Sequence, residues 1–281
     1  MLPRATVLML TYNRPQFLGN AIESILAQGF QEWELLVVHD GSNQQIPMLM
    51  REWQKRDPRI LYFHRAIPGN IAHASNFGLS LARGEYIAVL DDDDDWAEPN
   101  KLSKQIAFLD QNRDYCCCGS GVIVVDSAGR EQMRYLKPEH DEEIKRQALL
   151  ANPLAHSSTV YRVEAAQRVG GYDEGLAGFQ DWDLWLKLGR IGKLYNFPEY
   201  FLNYRVWHGS GSFHQSKGNT ASAVRITRRH RHDYAGYWMA FPMALLYHAY
   251  AYMPGYVHKF SYSFLSQWKK SFFAHRPVPK T

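Results

Sequence analysis

The stretch EYIAVLDDDDDW, from Glu85 to Trp96, places a hydrophobic segment of strand length directly before five consecutive aspartates. Residues Tyr86 to Leu90 are all hydrophobic, which is typical of a strand buried on both faces of a parallel sheet. Five adjacent carboxylates repel one another unless a cation neutralises some of them or their pKa values rise. The stretch therefore predicts a buried strand that ends at a charged site.

Hydrophobic runs of strand length alternate with helical patterns along the first 110 residues. The predicted strands are Thr6 to Thr11, Glu34 to His39, Ile60 to His64 and Glu85 to Leu90, and the predicted helices are Pro15 to Gln28, Pro47 to Arg56, Asn70 to Ala82 and Pro99 to Asp110. This alternation predicts an α/β fold with a mainly parallel sheet flanked by helices. Ligands of such sheets bind beyond the carboxyl ends of the strands, so the polar residues after each run are candidates for the site.

The pattern is looser after residue 111. Tyr115 to Val125 and Ser157 to Tyr161 are predicted strands, and Glu142 to Ala151 and Trp182 to Gly189 are predicted helices. With 281 residues and 46% hydrophobic content, the chain is long enough for one large domain and an appendage.

The three cysteines are consecutive, Cys116 to Cys118, so they cannot join distant segments and lack the spacing of a zinc site. We expect them to lie in a buried strand of a reduced protein. The N-terminus shows neither a basic region nor a small-residue cleavage site, and no secretory signal is expected.

The aspartate run suggests a site for a hard cation. If the chain is extended there, Asp91 and Asp93 share a face while Asp92 points away. Oxygen ligands favour Mg²⁺ or Mn²⁺, with a diphosphate filling the remaining coordination positions. The alternative is a solvated acidic turn. An EF-hand does not fit, because counting from Asp91 puts Trp96 where glycine is needed.

Three segments, in this order and spacing, resemble the inverting glycosyltransferase family 2, which has the GT-A fold, a Rossmann-like sheet. They are VLMLTYNR (Val7 to Arg14), VVHDGS (Val37 to Ser42) and the strand that ends in the aspartates, and the resemblance covers about residues 4 to 212. It implies a nucleotide-sugar donor and a Mn²⁺ or Mg²⁺ ion held by Asp93 and Asp91. The donor-binding residues that it implies are Thr11, Tyr12, Asn13, Arg14, Asp40, Asn70, Asp91 and Asp92. Asp40 could instead cap its turn, and Asn70 and Asn76 could instead cap or pack a helix.

The segment GGYDE (Gly170 to Glu174), followed by QDWDLW from Gln180, resembles the acceptor side of the same family. The resemblance assigns the catalytic base to Asp181, with Asp183 as the fallback, although Gln180 replaces the usual Glu. The segment with Arg205 and His208 resembles a loop that closes over the diphosphate, and His156, before Ser157 and Ser158, is a further candidate for facing the acceptor. A histidine satisfied in the core and a surface arginine are the alternatives for these positions.

The C-terminal part differs in charge from the rest. From Arg225 onward, nine Lys or Arg stand against one acid, so the tail carries +8 and the remainder of the +4 chain carries −4. Tyr234 to Val257 contains no Asp, Glu, Lys or Arg and is rich in tyrosine. We therefore divide the chain into a GT-A catalytic domain, residues 1–218, and a helical, basic, aromatic C-terminal segment, residues 219–281.

The aromatic and basic residues of this segment suit a membrane surface, and we expect a cytoplasmic protein held peripherally at the inner face of a membrane. Packing on the catalytic domain, a homo-oligomer contact and a membrane span remain alternatives, and nucleic acid is not an expected partner.

The resemblance implies an inverting, metal-dependent enzyme that moves a sugar from a UDP-linked donor to an acceptor hydroxyl during synthesis of a cell-surface glycan or glycolipid. A non-catalytic sugar-nucleotide or glycan-binding module is one alternative. A sugar-nucleotide nucleotidyltransferase is another, but it would need a glycine-rich phosphate loop, and Thr11 to Arg14 contains no glycine.

Overall fold

The computed structural model describes residues 2–65, 69–207 and 217–253. Its strands are β1 (Ala5–Thr11), β2 (Trp33–His39), β3 (Ile60–His64), β4 (Tyr86–Val89), β5 (Asp95–Trp96), β6 (Tyr115–Val125), β7 (Glu131–Tyr135), β8 (Val160–Arg162) and β9 (Lys193–Arg205). Its helices are α1 (Pro15–Leu26), α2 (Gln45–Arg56), α3 (Ile71–Leu81), α4 (Lys101–Gln111), α5 (Asp141–Gln147), α6 (Val163–Arg168), α7 (Gln180–Ile191), α8 (Lys217–Arg229) and α9 (Tyr237–Tyr250). A short 3₁₀ helix spans His156–Ser158.

The first four strands form the parallel half of the sheet. Their order is β3-β2-β1-β4, every pair is parallel, and each strand lies within one residue of its predicted bounds. Thr11 stands opposite His39, and His39 opposite His64, so the strands end level with one another. The α/β prediction is confirmed, and the polar residues after β1, β2 and β4 lie at one edge of the sheet.

The second half of the sheet is mixed rather than parallel. β8 runs antiparallel to β4 and to β6, whereas β6 and β9 are parallel. The strand predicted from Ser157 begins only at Val160, because hydroxyl groups bond the preceding turn: Ser158 Oγ donates to Ala155 O at 2.8 Å and Thr159 Oγ1 to His156 O at 2.7 Å. Cys116 to Cys118 lie buried in β6 as free thiols, as expected.

The described part of the C-terminal segment packs against α7. Ala223, Ile226 and Tyr234 share a hydrophobic cluster with Trp182 and Leu186 of α7. The packing is therefore continuous across residue 218, the predicted domain boundary. Within residues 2–65, 69–207 and 217–253, no helix has the length and apolar content needed to cross a bilayer.

Candidate active site

The ends of β1 and β2 are bonded to each other next to the sheet edge. A side chain at Gly41 would place its Cβ only 1.8 Å from the carbonyl oxygen of Tyr12, so only glycine fits there. Asn13 Oδ1 accepts hydrogen bonds from the amides of Ser42 at 3.2 Å and Asn43 at 3.0 Å. The two predicted donor-binding segments, after β1 and after β2, thus pack directly against each other at the sheet edge, and Tyr12 is exposed there.

Asp40 is buried just beyond β2. Its Oδ1 accepts from Arg65 NH1 at 2.9 Å and its Oδ2 from the amide of Gly69 at 3.0 Å. The carboxylate therefore holds the chain that leads from β3 to α3, at the same edge as Tyr12. Both of its oxygens have partners in the protein.

Asn70 and Asn76 tie α3 to the segment before α7. Asn70 caps α3 by accepting from His73 N at 3.0 Å, and its Nδ2 donates to the carbonyl oxygen of Glu174 at 2.6 Å. Asn76 bonds both backbone groups of Tyr172 at 2.9 Å. Both asparagines have the capping and packing contacts that were the alternative to a donor contact.

The aspartate run forms a turn rather than an extended chain, since the amide of Asp94 donates to Asp91 O at 3.2 Å. The prediction that Asp91 and Asp93 share one face of an extended chain is therefore wrong, because the chain is not extended there. Asp92 is fully buried and pairs with Arg14 NH2 at 2.6 Å. Asp93 Oδ2 accepts from Arg14 NH1 at 2.6 Å and from Trp207 Nε1 at 2.9 Å.

The repulsion among the aspartates is reduced in both of the expected ways, by raised pKa values and by a neighbouring cation. Burial raises the pKa of Asp92 to about 7, against the lowering effect of Arg14. Burial also raises the pKa of Asp93, and it raises that of Asp94 well above its ordinary value. The Arg14 guanidinium supplies the positive charge.

Asp94 is the structural member of the run. Its Oδ2 accepts from Ser157 Oγ at 2.5 Å and its Oδ1 from the backbone amide of Arg205 at 2.9 Å. These contacts join the turn after β4 to the 3₁₀ helix and to the end of β9. Asp91 is more exposed, and its Oδ1 lies 3.9 Å from His156 Nε2.

A divalent metal ion fits the run only as a site shared with a ligand. Among the residues that the structure describes, no three Asp, Glu, His or Cys side chains form a group able to hold a metal. Asp91 and Asp93 offer hard oxygen donors, and Mg²⁺ typically binds through one or two carboxylates together with substrate phosphates. The residues therefore fit a metal ion completed by a diphosphate.

Asp181 lies in the first turn of α7, half-buried, and Asn152 Nδ2 donates to its Oδ2 at 2.6 Å. Lys137 supports this contact by donating to the carbonyl oxygen of Asn152 at 2.7 Å, and burial lowers the pKa of Lys137 to about 8. The ring of His156 lies 6.1 Å from that of Trp185 in α7. His156 thus stands between Asp91 and the helix that carries Asp181.

Asp183 is buried and fully paired, which corrects its role as the fallback base. Its Oδ1 accepts from Arg229 at 2.7 Å and His230 at 3.1 Å, and its Oδ2 pairs with Lys187 at 2.8 Å. Although burial opposes ionisation, these cationic and hydrogen-bonded partners hold the pKa of Asp183 below its usual value. This carboxylate anchors α8 to α7 and presents no oxygen to a substrate.

Arg205 lies beneath the aspartate run rather than on an open loop. It is buried, and its guanidinium donates to Asp95 Oδ1 at 2.8 Å and to the carbonyl oxygen of Asp93 at 3.1 Å. Its guanidinium stabilises the turn of the aspartate run and is not on the loop over the diphosphate that the sequence suggested. His208, predicted with it, lies outside the described residues.

Residues that contact the candidate site and are absent from the prediction include Trp207, Ser157, Asn152, Lys137 and Arg65. Ser157 and Trp207 are sequence neighbours of the predicted His156 and of the motif around Arg205, and this adjacency was the available signal. Asn152 and Lys137 stand in segments without any motif.

The mixed sheet with its flanking helices has the GT-A fold, and the comparison with known families shows that the chain is a glycosyltransferase. The family model described as Glycosyl transferase family 2 matches residues 6–170, and the chain belongs to that family. An uncharacterized glycosyltransferase of Methanocaldococcus jannaschii is 32% identical over 211 residues, which cover 73% of this chain and 71% of the relative.

Two solved structures show the same fold at low sequence identity. The mannosyltransferase PcManGT from Pyrobaculum calidifontis, in complex with GDP-Man and Mn²⁺, has a TM-score of 0.66 and 15% identity, covering 97% of this chain and 82% of that one. S. aureus TarS 1-349, in complex with UDP-GlcNAc, has a TM-score of 0.66 and 16% identity, covering 95% of this chain and 77% of that one. A longer TarS chain is covered over 39% of its length.

Proposed function

We propose that this protein is an inverting, metal-dependent enzyme that transfers a sugar from a nucleotide-sugar, UDP-linked, to an acceptor hydroxyl. The observation that carries the proposal is the placement of His156, which lies beside Asp91 at the aspartate run and beside Trp185 in the helix of Asp181. A residue beside the donor-side carboxylate Asp91 thus also packs on the helix that carries the acceptor-side carboxylate Asp181. The UDP-GlcNAc and GDP-Man complexes of the two similar structures support the donor class.

In the proposed sugar transfer, different carboxylates would serve the attacking hydroxyl and the departing diphosphate. Asp181 would accept the proton of the acceptor hydroxyl, because Asn152 occupies only Oδ2 and orients the carboxylate. Asp93 and Asp91 would hold Mn²⁺ or Mg²⁺, which supplies charge neutralisation for the departing diphosphate. The edge from Thr11 to Arg14, together with Asp40, would bind the nucleotide.

Two isosteric variants test these roles separately. Asp181→Asn should lower kcat by about a hundredfold or more and leave the donor affinity nearly unchanged, since only the base is removed. Asp93→Asn should weaken both the Mn²⁺-dependent binding of UDP, measured by calorimetry, and turnover. Near-wild-type turnover of Asp181→Asn would refute the base, and equal UDP affinity of the wild type with and without metal would refute the metal.

We further propose that α9 and the chain after it contact the inner face of a membrane, where a glycan or glycolipid acceptor would be met. α9 contains no charged residue and turns apolar side chains outward: Trp238 is 87% exposed and Leu246 70% exposed. Met239 and Leu245 of the same helix, and Met253 just after it, are also exposed. A helix that is apolar on its solvent side needs a partner.

Charge favours an anionic lipid surface as that partner. Residues 217–253 contain five Lys or Arg, all of them in α8 or two residues after it, against Asp233 alone. Arg225 and Arg229 pair with Asp173, so Lys217, Arg228 and Arg231 are the charges that would face a lipid surface. Residues 1–218 would then be the catalytic domain, with α8 packed on it and α9 available for the membrane. Gel filtration with light scattering would reveal a homo-oligomer instead.

A further inference from the structure

The Arg14 guanidinium occupies the part of the aspartate run where a cation is expected. Its two terminal nitrogens lie 2.6 Å from Asp92 Oδ1 and 2.6 Å from Asp93 Oδ2. The same Asp93 oxygen accepts from Trp207 Nε1 at 2.9 Å. A metal ion that binds through this oxygen must therefore displace an arginine and an indole.

Asp92 explains why Arg14 stays in the site. This carboxylate is fully buried, neither oxygen has a hydrogen bond of good geometry, and its close ionic partner is Arg14. Removing a single partner from a buried ion pair is costly. Arg14 can therefore give up Asp93 while it remains bound to Asp92.

We propose that Arg14 is an internal counter-ion that competes with the divalent metal for Asp93. When the metal takes the place of Arg14 at Asp93, the ion pair with Asp92 keeps Arg14 in the site. The proposal rests on the metal dependence proposed for the enzyme. Metal alone would bind weakly, since it must displace a cation. Metal and nucleotide together would bind better, because the released side of the guanidinium gains diphosphate oxygens as partners.

Mn²⁺ binding without nucleotide, followed by electron paramagnetic resonance of the free ion, tests the competition without measuring turnover. Arg14→Gln should tighten Mn²⁺ binding by about tenfold, the scale on which close charge pairs are coupled. Asp92→Asn should weaken it, since Arg14 then has Asp93 as its remaining partner. Thermal melting of each variant checks that it is folded.

A double-mutant cycle separates competition from a general charge effect. Competition predicts that Asp92→Asn changes Mn²⁺ affinity much less in the Arg14→Gln background than in the wild type, whereas simple through-space charge predicts additive changes. Additivity within about twofold would overturn the proposal, and so would an Arg14→Gln variant that binds Mn²⁺ no more tightly than the wild type.

Trp207→Phe is the matched control, because it removes a neutral donor from the same oxygen of Asp93. It should change Mn²⁺ affinity by less than about threefold. An effect as large as that of Arg14→Gln would show that hydrogen bonding, not charge, limits metal binding. Failure of the proposed metal dependence itself would appear differently, as a UDP affinity of the wild type that is independent of Mn²⁺.

Discussion

Replacing Asp183 by Asn should destabilise the fold, although this residue stands two positions from the proposed base. Asp183 is fully buried and lies between 2.7 and 3.1 Å from Arg229, Lys187 and His230. Breaking a buried charge pair by removing one partner costs about 3–5 kcal/mol. Arg229 keeps Asp173 as a partner, and Lys187 is partly exposed, so we expect the lower end, about 3 kcal/mol.

Urea unfolding followed by circular dichroism measures this loss, with Asp181→Asn as the matched control. The control replaces a half-buried carboxylate that has one hydrogen-bond partner, and it should cost about 1 kcal/mol or less. Because the pKa of Asp183 is lowered in the folded state, its contribution is present above its unfolded pKa and is lost as the pH falls through the folded value. The difference between Asp183→Asn and wild type should therefore stay constant from about pH 5 to 8.

The reasoning fails if Asp183→Asn unfolds within about 1 kcal/mol of the wild type while losing turnover a hundredfold. That result would show that the charge of Asp183 serves the reaction rather than the docking of α8. A variant that loses stability but keeps its turnover per folded molecule would confirm the anchoring role.

Three further predictions concern other parts of the molecule. Gly41→Ala should lower stability by at least about 1–3 kcal/mol in urea and weaken UDP binding, because its Cβ would collide with Tyr12 O; unchanged UDP affinity would contradict this. Lys101 is fully buried, which lowers its pKa to about 7, so its own contribution to wild-type stability should rise between about pH 7 and 10, where the unfolded chain still binds this proton. Lys101→Met should remove that rise and be more stable at pH 7, by up to about 4 kcal/mol; an unchanged pH profile would exclude Lys101 as its source. Leu246→Glu should reduce sedimentation with anionic vesicles and leave the melting temperature within about 2 °C of wild type, because this side chain is 70% exposed; equal sedimentation would argue against α9 as the contact.

The sequence alone determined the parallel half of the fold and the location of the site. Continuous hydrophobic runs predicted the bounds of β1 to β4 to within one residue, because a strand buried on both faces tolerates few polar residues. Crowding of five adjacent carboxylates was enough to predict that a nearby cation or raised pKa values would be present, although burial is the main cause of the raised pKa values of Asp92 to Asp94. The hydrophobic runs and the crowding of carboxylates are properties of neighbouring residues.

The tertiary structure decided which carboxylates are available for chemistry. Asp181 and Asp183 are nearly equivalent in the sequence, yet the first bonds one amide and the second is enclosed by Arg229 and His230 of the C-terminal segment. Trp207 reaches Asp93 across 114 residues. The partners of a buried charge depend on which distant segments the packing brings within hydrogen-bond distance, and no local pattern in the chain encodes that choice.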